Sequence, residues 1–329
     1  MLTTVIVGAG VAGRELHHRA LRRVRPKRRV VFVDPVPQRD VDWFPDFDAL
    51  TAATELADAA VHVCSPVRTH IPVVETLIGL GARRFVLEKP IASSTEELAL
   101  LGRWAREVRG LTVLPMAVWP HSVAAHPARA FARTVLADAG GDGLVLRMAQ
   151  EKSRRLDSGR TRGGSTSAFD IELPHLALLA RHLLGPVDEI GKSECWPAPW
   201  APDDPASGGA RVSLRHSSGA VAQLSTDLDA TERRRWVRMA SGSRWFEVRL
   251  PLSRDEPWTD TQRYGAARLR YDDRPIDAFL DDAYRRFDAD TLDSAVTGHP
   301  AVTVTLEEHL DAAAIVLRAR EAATRVKGA

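Results

Sequence analysis

The chain has 329 residues, which is long for one hydrophobic core and enough for two domains of ordinary size. Hydrophobic residues make up 44% and charged residues 27%, as in a soluble globular protein, and a net charge of +2 excludes a strong overall field that would attract nucleic acid. The sequence shows neither a basic leader before an apolar run nor a window near the roughly 18 apolar residues of a membrane span. We therefore expect a cytoplasmic protein that binds neither a membrane nor nucleic acid.

The first predicted element is a short buried strand, Val5 to Val7, which runs directly into the glycine-rich stretch GAGVAG. Apolar residues recur at helical spacing after it, which is the context of a dinucleotide-binding loop. In such a loop Gly8 allows the tight turn, Gly10 lets the backbone approach a pyrophosphate, and Gly13 lets the helix pack closely on the strand. The free amide groups at the helix start face the phosphates. The predicted cofactor-binding residues of this loop are Gly8, Gly10, Val11, Ala12 and Gly13.

A second strand, Arg29 to Val33, ends at Asp34, 21 residues beyond Gly13. A carboxylate at this distance can accept hydrogen bonds from the adenosine ribose hydroxyls and would repel a 2′-phosphate. The spacing predicts NAD as the cofactor, with NADP as the alternative, because Arg39 and the basic run from Arg22 to Arg29 could neutralise a phosphate. We interpret that run as a solvated helix end, where cations complement the helix dipole, rather than as a nucleic-acid site.

Strands and helices alternate through the rest of the first half. We predict helices over 47–56, 71–80 and 95–108, the last with Thr95 as its cap, and strands over 61–64, 85–87 and 111–118. This alternation is typical of a parallel doubly wound sheet, whose ligands lie along the carboxyl ends of its strands. The residues at such ends are Gly10, Asp34, Ser65, Lys89 and Trp119.

The second half, from about residue 121, has a different pattern. We predict helices over 127–136, 176–184 and 306–325, strands over 143–148, 210–215, 220–226, 235–240 and 245–250, and a loop from Trp196 to Gly209. Runs of adjacent strands after one early helix indicate an α+β domain with an open, mostly antiparallel sheet and helices on one face. We therefore expect a dinucleotide-binding Rossmann domain over 1–120 and an α+β domain for substrate binding and oligomerisation over 121–329.

Two residue types are scarce enough to be informative. Lysine supplies only five of the 45 basic residues, and a retained lysine can give up a proton or act as a compact point charge, as arginine does not. Lys89 and Lys152 are therefore candidates for chemistry. The cysteines, Cys64 and Cys195, are too few and too far apart for a disulfide scaffold or a metal or redox site, so we expect two buried thiols and no metal.

Three motifs of the first half occur together: GAGVAG near the N-terminus, Cys64-Ser65-Pro66 with His70 four residues on, and Glu88-Lys89-Pro90 after an apolar strand. Together they resemble the GFO/IDH/MocA oxidoreductases, a family named for glucose-fructose oxidoreductase and inositol dehydrogenase. The Glu-Lys-Pro triplet is the most specific of the three motifs, and the second half of the chain resembles the family along its length.

The resemblance assigns roles to these residues. It implies that Lys89 projects beside the nicotinamide and the substrate hydroxyl. It also implies a small-molecule substrate and a homodimer or homotetramer formed through the C-terminal sheet. Pro90 could follow a cis peptide, which X–Pro bonds permit at modest energy. The further residues that it places at the cofactor are Cys64, Ser65, Pro66, His70 and Glu88.

His175 is the candidate catalytic base. Oxidising an alcohol requires a base within hydrogen-bond reach of the hydroxyl, and the unperturbed pKa of histidine lies near neutrality. The resemblance places a histidine here facing the nicotinamide, with Lys89 holding the substrate oxygen. Either Asp170 or Glu172 should orient the ring. We choose Asp170 and expect it in an extended segment before the helix, because Pro174 suits a first helical turn.

The chain departs from the family pattern in two places. Asp170 lies five residues before His175, where family members commonly have four, and Trp119-Pro120-His121 stands where many have an Asn or Tyr and an Arg. These departures imply a substrate pocket of altered shape. The candidate substrate residues are Trp119, Lys152 and Glu172.

The resulting hypothesis is an enzyme that transfers a hydride between a nicotinamide cofactor and a secondary alcohol or ketone of a small polar substrate, such as a sugar or cyclitol. Two alternatives stay open: reduction of a C=N bond, and a nucleotide-binding regulator without turnover. The polar stretch from Ser158 to Ser167 is either a lid over the substrate or a solvated connector. Arginines available there to an anionic group are Arg154, Arg155, Arg160 and Arg162.

Overall fold

The structure is a computed structural model that describes residues 3–139, 143–153, 167–253, 256–288 and 304–326. The chain forms two compact units. The N-terminal unit comprises Met1–Ala117 and Ile276–Glu307, and the C-terminal unit comprises Val118–Pro275 and Glu308–Ala329. The first break lies close to the expected boundary at residue 120. Residues 276–288, which the sequence pattern places in the second domain, belong instead to the N-terminal unit.

The N-terminal unit is built on a six-stranded sheet. Its strands are β1 (Thr3–Val7), β2 (Val30–Val33), β3 (Asp42–Phe44), β4 (Ala59–Val63), β5 (Arg84–Leu87) and β6 (Thr112–Pro115). They lie in the order β3-β2-β1-β4-β5-β6, and every neighbouring pair is parallel. This is the strand order of a Rossmann fold, which confirms the predicted fold class. The sequence pattern does not predict β3, because three partly exposed residues carry too little periodicity.

Helical segments connect these strands. A π-helical segment (Val11–His18) continues into α1 (Arg19–Val24), and α2 (Phe47–Ala53), α3 (His70–Gly79) and α4 (Thr95–Glu107) follow. The prediction of Thr95 as a cap is wrong by one residue. The hydroxyl of Ser94 accepts a hydrogen bond from the Glu97 amide at 3.3 Å, and Thr95 is already the first helical residue.

A helix late in the sequence, α8 (Pro275–Asp288), packs in the N-terminal unit. Acidic side chains of α8 form ion pairs with the basic run, in the pairs Arg23–Asp277, Arg25–Asp281 and Arg28–Asp288. The interpretation of this run as a solvated helix end is therefore incomplete, because three of its arginines are also ion-paired with α8. These pairs, together with the buried Tyr284, explain why this segment belongs to the N-terminal unit.

The C-terminal unit is built on a nine-stranded sheet. Its strands are β7 (Val145–Ser153), β8 (Val187–Trp196), β9 (Gly209–His216), β10 (Val221–Asp227), β11 (Asp229–Ser241), β12 (Arg244–Arg249), β13 (Trp258–Arg263), β14 (Leu269–Asp272) and β15 (Thr324–Arg325). Their order is β14-β13-β12-β11-β7-β10-β9-β8-β15. Only the pairs β7–β10 and β8–β15 are parallel among these strands, which confirms the predicted, mostly antiparallel sheet.

Four helices accompany this sheet: α5 (Ala125–Ala139), α6 (Ala168–Ile171), α7 (Leu173–Leu184) and α9 (Leu306–Glu321). The expectation that Asp170 lies in an extended segment is wrong, because Asp170 is inside α6. The hydroxyl of Ser167 accepts a hydrogen bond from the Phe169 amide and so starts a helix earlier than Pro174 suggests. The predicted loop from Trp196 to Gly209 is shorter than expected, since its end residues belong to β8 and β9.

Candidate active site

The glycine-rich loop joins β1 to the π-helical segment, and its three glycines have different surroundings. Gly8 has a φ of +95°, and a Cβ there would lie 2.7 Å from the amide nitrogen of Ser65. A Cβ on Gly13 would lie 2.1 Å from the carbonyl oxygen of Gly8. A Cβ on Gly10, by contrast, would meet no atom of the described residues within 4 Å. The first and last glycines are thus required by the fold, whereas Gly10 leaves open space for a ligand.

Asp34 follows β2, and its carboxylate faces this loop. Its Oδ2 accepts a hydrogen bond from the Ala9 amide at 2.7 Å, and its Oδ1 accepts one from the Val36 amide at 2.9 Å. A nearby cation that the sequence pattern does not single out is Arg14, whose guanidinium donates to the side chain of Gln38 at 2.8 Å. The adenosine end of the predicted site therefore contains one fixed carboxylate and one arginine.

The Cys64-Ser65-Pro66 segment follows β4 and is held by His70 at the start of α3. His70 Nε2 lies 2.8 Å from the Ser65 carbonyl oxygen, so the ring donates a hydrogen bond there. Burial lowers the pKa of His70, and the ring is therefore neutral with its proton on Nε2. Burial, together with the charge of Glu88, raises the pKa of Cys64 well above its usual value, so this thiol is protonated and unreactive.

Lys89 follows β5, at the same carboxyl edge of the N-terminal sheet. Its amide donates to Glu88 Oε2 at 2.9 Å, and the Lys89–Pro90 peptide is cis. Glu88 Oε1 lies 2.9 Å from His17 Nε2. Burial alone would raise the pKa of Glu88, but the hydrogen bond and charge of His17 and the charge of Lys89 lower it to about 2. Glu88 is thus a buried carboxylate engaged by protein groups, and its contact with the cofactor stays a prediction.

A second polar cluster, in the C-terminal unit, contains the three predicted substrate residues. We call it the Glu172 cluster. Lys152, near the end of β7, forms an ion pair with Glu172, and both side chains are largely buried. Gln150 lies two residues before Lys152 on the same strand. With its amide oriented to suit its neighbours, Gln150 donates to Glu172, and its oxygen accepts from the indole nitrogen of Trp119 at 2.5 Å.

Two further side chains of the cluster contact the Trp119 ring. The ring of His175 meets it in an edge-to-face arrangement with centroids 6.2 Å apart. The guanidinium carbon of Arg235, on β11, lies 5.2 Å from the Trp119 ring centroid. Burial lowers the pKa of Arg235, and the charge of Glu172 opposes that effect. The structure thus brings His175 together with all three predicted substrate residues.

The sequence pattern misses Gln150 and Arg235. Strand alternation around Lys152 is the signal that could have found Gln150, because residues two apart on a strand share a face. Arg235 lies among three consecutive arginines, and nothing local to the sequence distinguishes it from its exposed neighbours Arg233 and Arg234.

The two carboxylates considered as partners of His175 have different surroundings. Asp170 pairs with Arg320 of α9 at 3.3 Å, whereas Glu172 belongs to the cluster that contains Trp119. The choice of Asp170 to orient His175 stays a prediction, and this arrangement favours Glu172 for the same role.

Other predicted features are outside the part of the chain that the structure describes. These are Arg154, Arg155, Arg160, Arg162 and the stretch from Ser158 to Ser167 except Ser167 itself. Within the described ranges, no group of three or more His, Cys, Asp or Glu side chains is placed to hold a metal ion. None of the described helices is long and apolar enough to cross a membrane.

The sequence from residue 2 to 113 matches the GFO/IDH/MocA family model, described as an oxidoreductase family with an NAD-binding Rossmann fold. The matched segment contains the glycine-rich loop, Asp34, the Cys-Ser-Pro segment and the Glu-Lys-Pro triplet. The match is thus to the family's Rossmann domain and covers residues 2–113 of this chain. This finding confirms the resemblance drawn from the motifs and the predicted class of cofactor, NAD or NADP.

Several solved structures resemble the whole chain in fold. A UDP-N-acetylglucosamine 3-dehydrogenase from Acidithiobacillus ferrooxidans is 19% identical, with a TM-score of 0.73 over 98% of this chain and 97% of that one. A 3-ketoreductase from Actinomadura kijaniata, in complex with TDP-benzene and NADP, is 17% identical, with a TM-score of 0.74 over 100% and 99%. An oxidoreductase from Agrobacterium radiobacter, in complex with NAD+, L-tartaric acid and magnesium, is 15% identical, with a TM-score of 0.72 over 98% and 96%.

At these identities the likeness shows a shared fold. No curated protein sequence matches the chain significantly.

Proposed function

We propose that this protein transfers a hydride between a nicotinamide cofactor and a carbon that carries a hydroxyl, or its ketone, in a small polar substrate. The observation that carries the proposal is the position of Lys89. It lies at the carboxyl edge of the N-terminal sheet, and the glycine-rich loop follows β1 at the same edge. A dinucleotide held by that loop extends along this edge of a doubly wound sheet. The open space at Gly10 and the Asp34 carboxylate beside the loop support binding of a pyrophosphate and a ribose there.

The bound nicotinamide would supply the hydride acceptor or donor. The protein groups would then handle the substrate oxygen and its proton. Lys89 would bind the oxygen and stabilise negative charge on it, and His175 would take up or return the proton. Lys152, Gln150 and Arg235 offer hydrogen-bond donors for other polar groups of the substrate.

The related structures favour a sugar-like substrate. Two of them are a UDP-N-acetylglucosamine 3-dehydrogenase and a 3-ketoreductase, both of which act on a secondary alcohol or its ketone. We infer by analogy that the substrate here is a sugar, a cyclitol or a related hydroxylated metabolite. Reduction of a C=N bond would use the same groups, and a panel that contains imines beside ketones separates the two reactions.

Replacement of Lys89 and His175 tests the proposal. In an assay that follows NADH absorbance against a panel of keto sugars, Lys89→Met and His175→Ala should each lower kcat on the order of 100-fold. Binding of NADH should change little. Lys192→Met, at an exposed lysine on β8, is the matched control and should keep full activity. Near-normal turnover by both variants would contradict the assignment, and NADH binding without turnover on any substrate would favour a regulator.

The preference for NAD over NADP rests on Asp34. A carboxylate on this loop favours a free 2′-hydroxyl and repels a 2′-phosphate. Asp34→Ser should shift the ratio of kcat/KM for NADH to that for NADPH toward NADPH by about tenfold, with Arg14 available to the added phosphate. A wild-type protein that uses both cofactors equally would refute the preference.

Assembly and location complete the proposal. We infer a homodimer or homotetramer formed through the C-terminal sheet, by analogy with the family, and light scattering on the purified protein tests it. The buried, free thiols Cys64 and Cys195 and the use of a nicotinamide support a cytoplasmic location, which cell fractionation tests.

A further inference from the structure

A chain of buried polar side chains leads away from Glu88 into the N-terminal unit. His17 Nε2 lies 2.9 Å from Glu88 Oε1, and His17 Nδ1 lies 2.7 Å from His62 Nδ1. His62 Nε2 lies 3.0 Å from the Tyr284 hydroxyl, which lies 2.5 Å from the hydroxyl of Thr4. Four elements contribute to this chain, namely β1, the π-helical segment, β4 and α8. Such a network holds its members in place because every buried polar atom in it needs its partner.

The chemistry of its members fixes most of the protons. Glu88 is ionised and accepts only, so His17 Nε2 must donate to it. Burial, with the charges of His17 and Arg28, lowers the pKa of His62 far below its usual value, and burial raises the pKa of Tyr284. His62 is therefore a neutral ring and Tyr284 a neutral phenol. One proton lies between the two Nδ1 atoms. Because a neutral ring carries one N–H, His62 Nε2 accepts from the Tyr284 hydroxyl when His62 Nδ1 carries that proton and donates to it when it does not.

The network is closed to solvent at its far end. The side chains of Thr4, His17 and His62 are fully buried, as is that of Tyr284. A proton entering from Glu88 would therefore have no exit through these groups, which argues against a proton path. The structural consequence lies at the near end, where Glu88 is partly accessible and where its second oxygen accepts the amide hydrogen of Lys89.

We propose that His17 is a positioning residue for Lys89, acting through Glu88. The inference rests on the role proposed for Lys89. His17 fixes Oε1 of Glu88, so that Oε2 holds the Lys89 backbone at the end of β5 and the carboxylate charge stays beside the lysine. Because His17 belongs to the π-helical segment that begins at the phosphate loop, the same segment that receives the cofactor also sets the position of the lysine.

Kinetics of four variants test this role. His17→Ala should lower kcat about tenfold in the NADH assay with keto sugars, while the Kd for NADH changes less than about twofold. His17→Gln should restore most of the loss, because its amide nitrogen reaches the position of Nε2. His17→Asn should not, because its amide is too short. His18→Ala is the matched control, since that neighbouring ring packs on Phe32 outside the network.

A double-mutant cycle separates positioning through Glu88 from an independent effect. Glu88→Gln should lower kcat about as much as His17→Ala, and the double variant should be no worse than either single one. If His17→Ala does not fold, His17→Gln and His17→Asn still test the proposal, because both keep a polar group. The proposal requires a higher kcat in His17→Gln than in His17→Asn.

A readout without turnover uses the scarcity of lysine. Reductive 13C-methylation of the five lysines gives few NMR signals, and the Lys89 signal is identified by its loss in Lys89→Met. In the cofactor-free protein, His17→Ala should shift this signal, and His18→Ala should leave it unchanged. Unchanged kcat and an unchanged signal in a folded His17→Ala protein would overturn the proposal. Loss of activity in Lys89→Met with full activity in His17→Ala would leave the proposed function intact and reject only this inference.

Discussion

The two units of the molecule, each taken by itself, build their candidate functional groups in different ways. The N-terminal unit forms its glycine-rich loop from the main chain, in six consecutive residues where a Cβ at either end would lie too close to backbone atoms. The C-terminal unit assembles the Glu172 cluster from side chains on β7, β11, a 3₁₀ turn (Trp119–His121), the residue between α6 and α7, and the start of α7. A backbone site requires a sequence motif, whereas a side-chain cluster requires only that distant residues meet in the fold.

The first prediction challenges the backbone site and has the largest expected effect. Gly13→Ala should abolish NADH binding and lower the free energy of unfolding by about 2 kcal/mol, because its Cβ would lie 2.1 Å from the Gly8 carbonyl oxygen. Calorimetric titration with NADH and denaturant unfolding measure the two effects.

Gly10→Ala separates the requirement of the fold from that of the ligand. The added methyl group meets no described atom, so stability should be unchanged while the Kd for NADH rises about tenfold. Gly79→Ala, at another site with open space in α3, should leave the Kd for NADH unchanged. A Gly13→Ala protein as stable as the wild type would show that the loop is not built as tightly as the structure indicates.

The second prediction challenges the side-chain cluster. Glu172→Leu should lower the free energy of unfolding by about 3 kcal/mol, because removing one partner of a buried ion pair leaves Lys152 and Arg235 without their compensating charge. Asp170→Asn is the matched control, since its partner Arg320 is half exposed, and it should cost less than about 1 kcal/mol. Equal decreases in the free energy of unfolding would show that the buried pair of Glu172 and the half-exposed pair of Asp170 do not differ in this respect. Loss of kcat in Asp170→Asn alone would support Asp170 as the residue that orients His175.

The third prediction concerns acid, and its effect is gradual. Burial lowers the pKa of His309 in the C-terminal unit to about 3 and lowers that of His62 in the N-terminal unit. Below pH 6.5 these histidines bind protons in the unfolded chain but stay neutral in the folded protein. Their contribution to the free energy of unfolding is therefore complete above that pH and decreases on acidification. Each such histidine contributes on the order of 1 kcal/mol per pH unit. From pH 4.5 down to about 2, Glu88 adds a loss of the same sign, because its folded pKa is lowered.

Thermal unfolding between pH 7.5 and 5 measures this effect. His309→Leu should make the decrease in Tm over that range smaller than in the wild type, because one buried neutral ring is gone. A Tm that is constant or rises from pH 7.5 to 5 would contradict the prediction.

Much of the N-terminal half follows from the sequence by itself. The glycine stretch with its flanking periodicity, the carboxylate at Asp34 and the Glu-Lys-Pro triplet are local signals, and they predict a parallel doubly wound sheet, a dinucleotide and a lysine at a strand end. These features are readable because the physical constraint lies within a few consecutive residues. A tight turn requires glycine, and a helix start offers free amide groups wherever it occurs.

Only the tertiary structure decided which distant residues meet. Helix α8 joins the N-terminal unit because its carboxylates pair with arginines about 250 residues earlier, and His17 reaches Glu88 across 71 residues of sequence. Arg235 differs from its exposed neighbours only because the pairing of β11 with β7 places it beside Gln150. Strand register and helix docking are set by the sum of many non-local contacts, and no short window of sequence contains that sum.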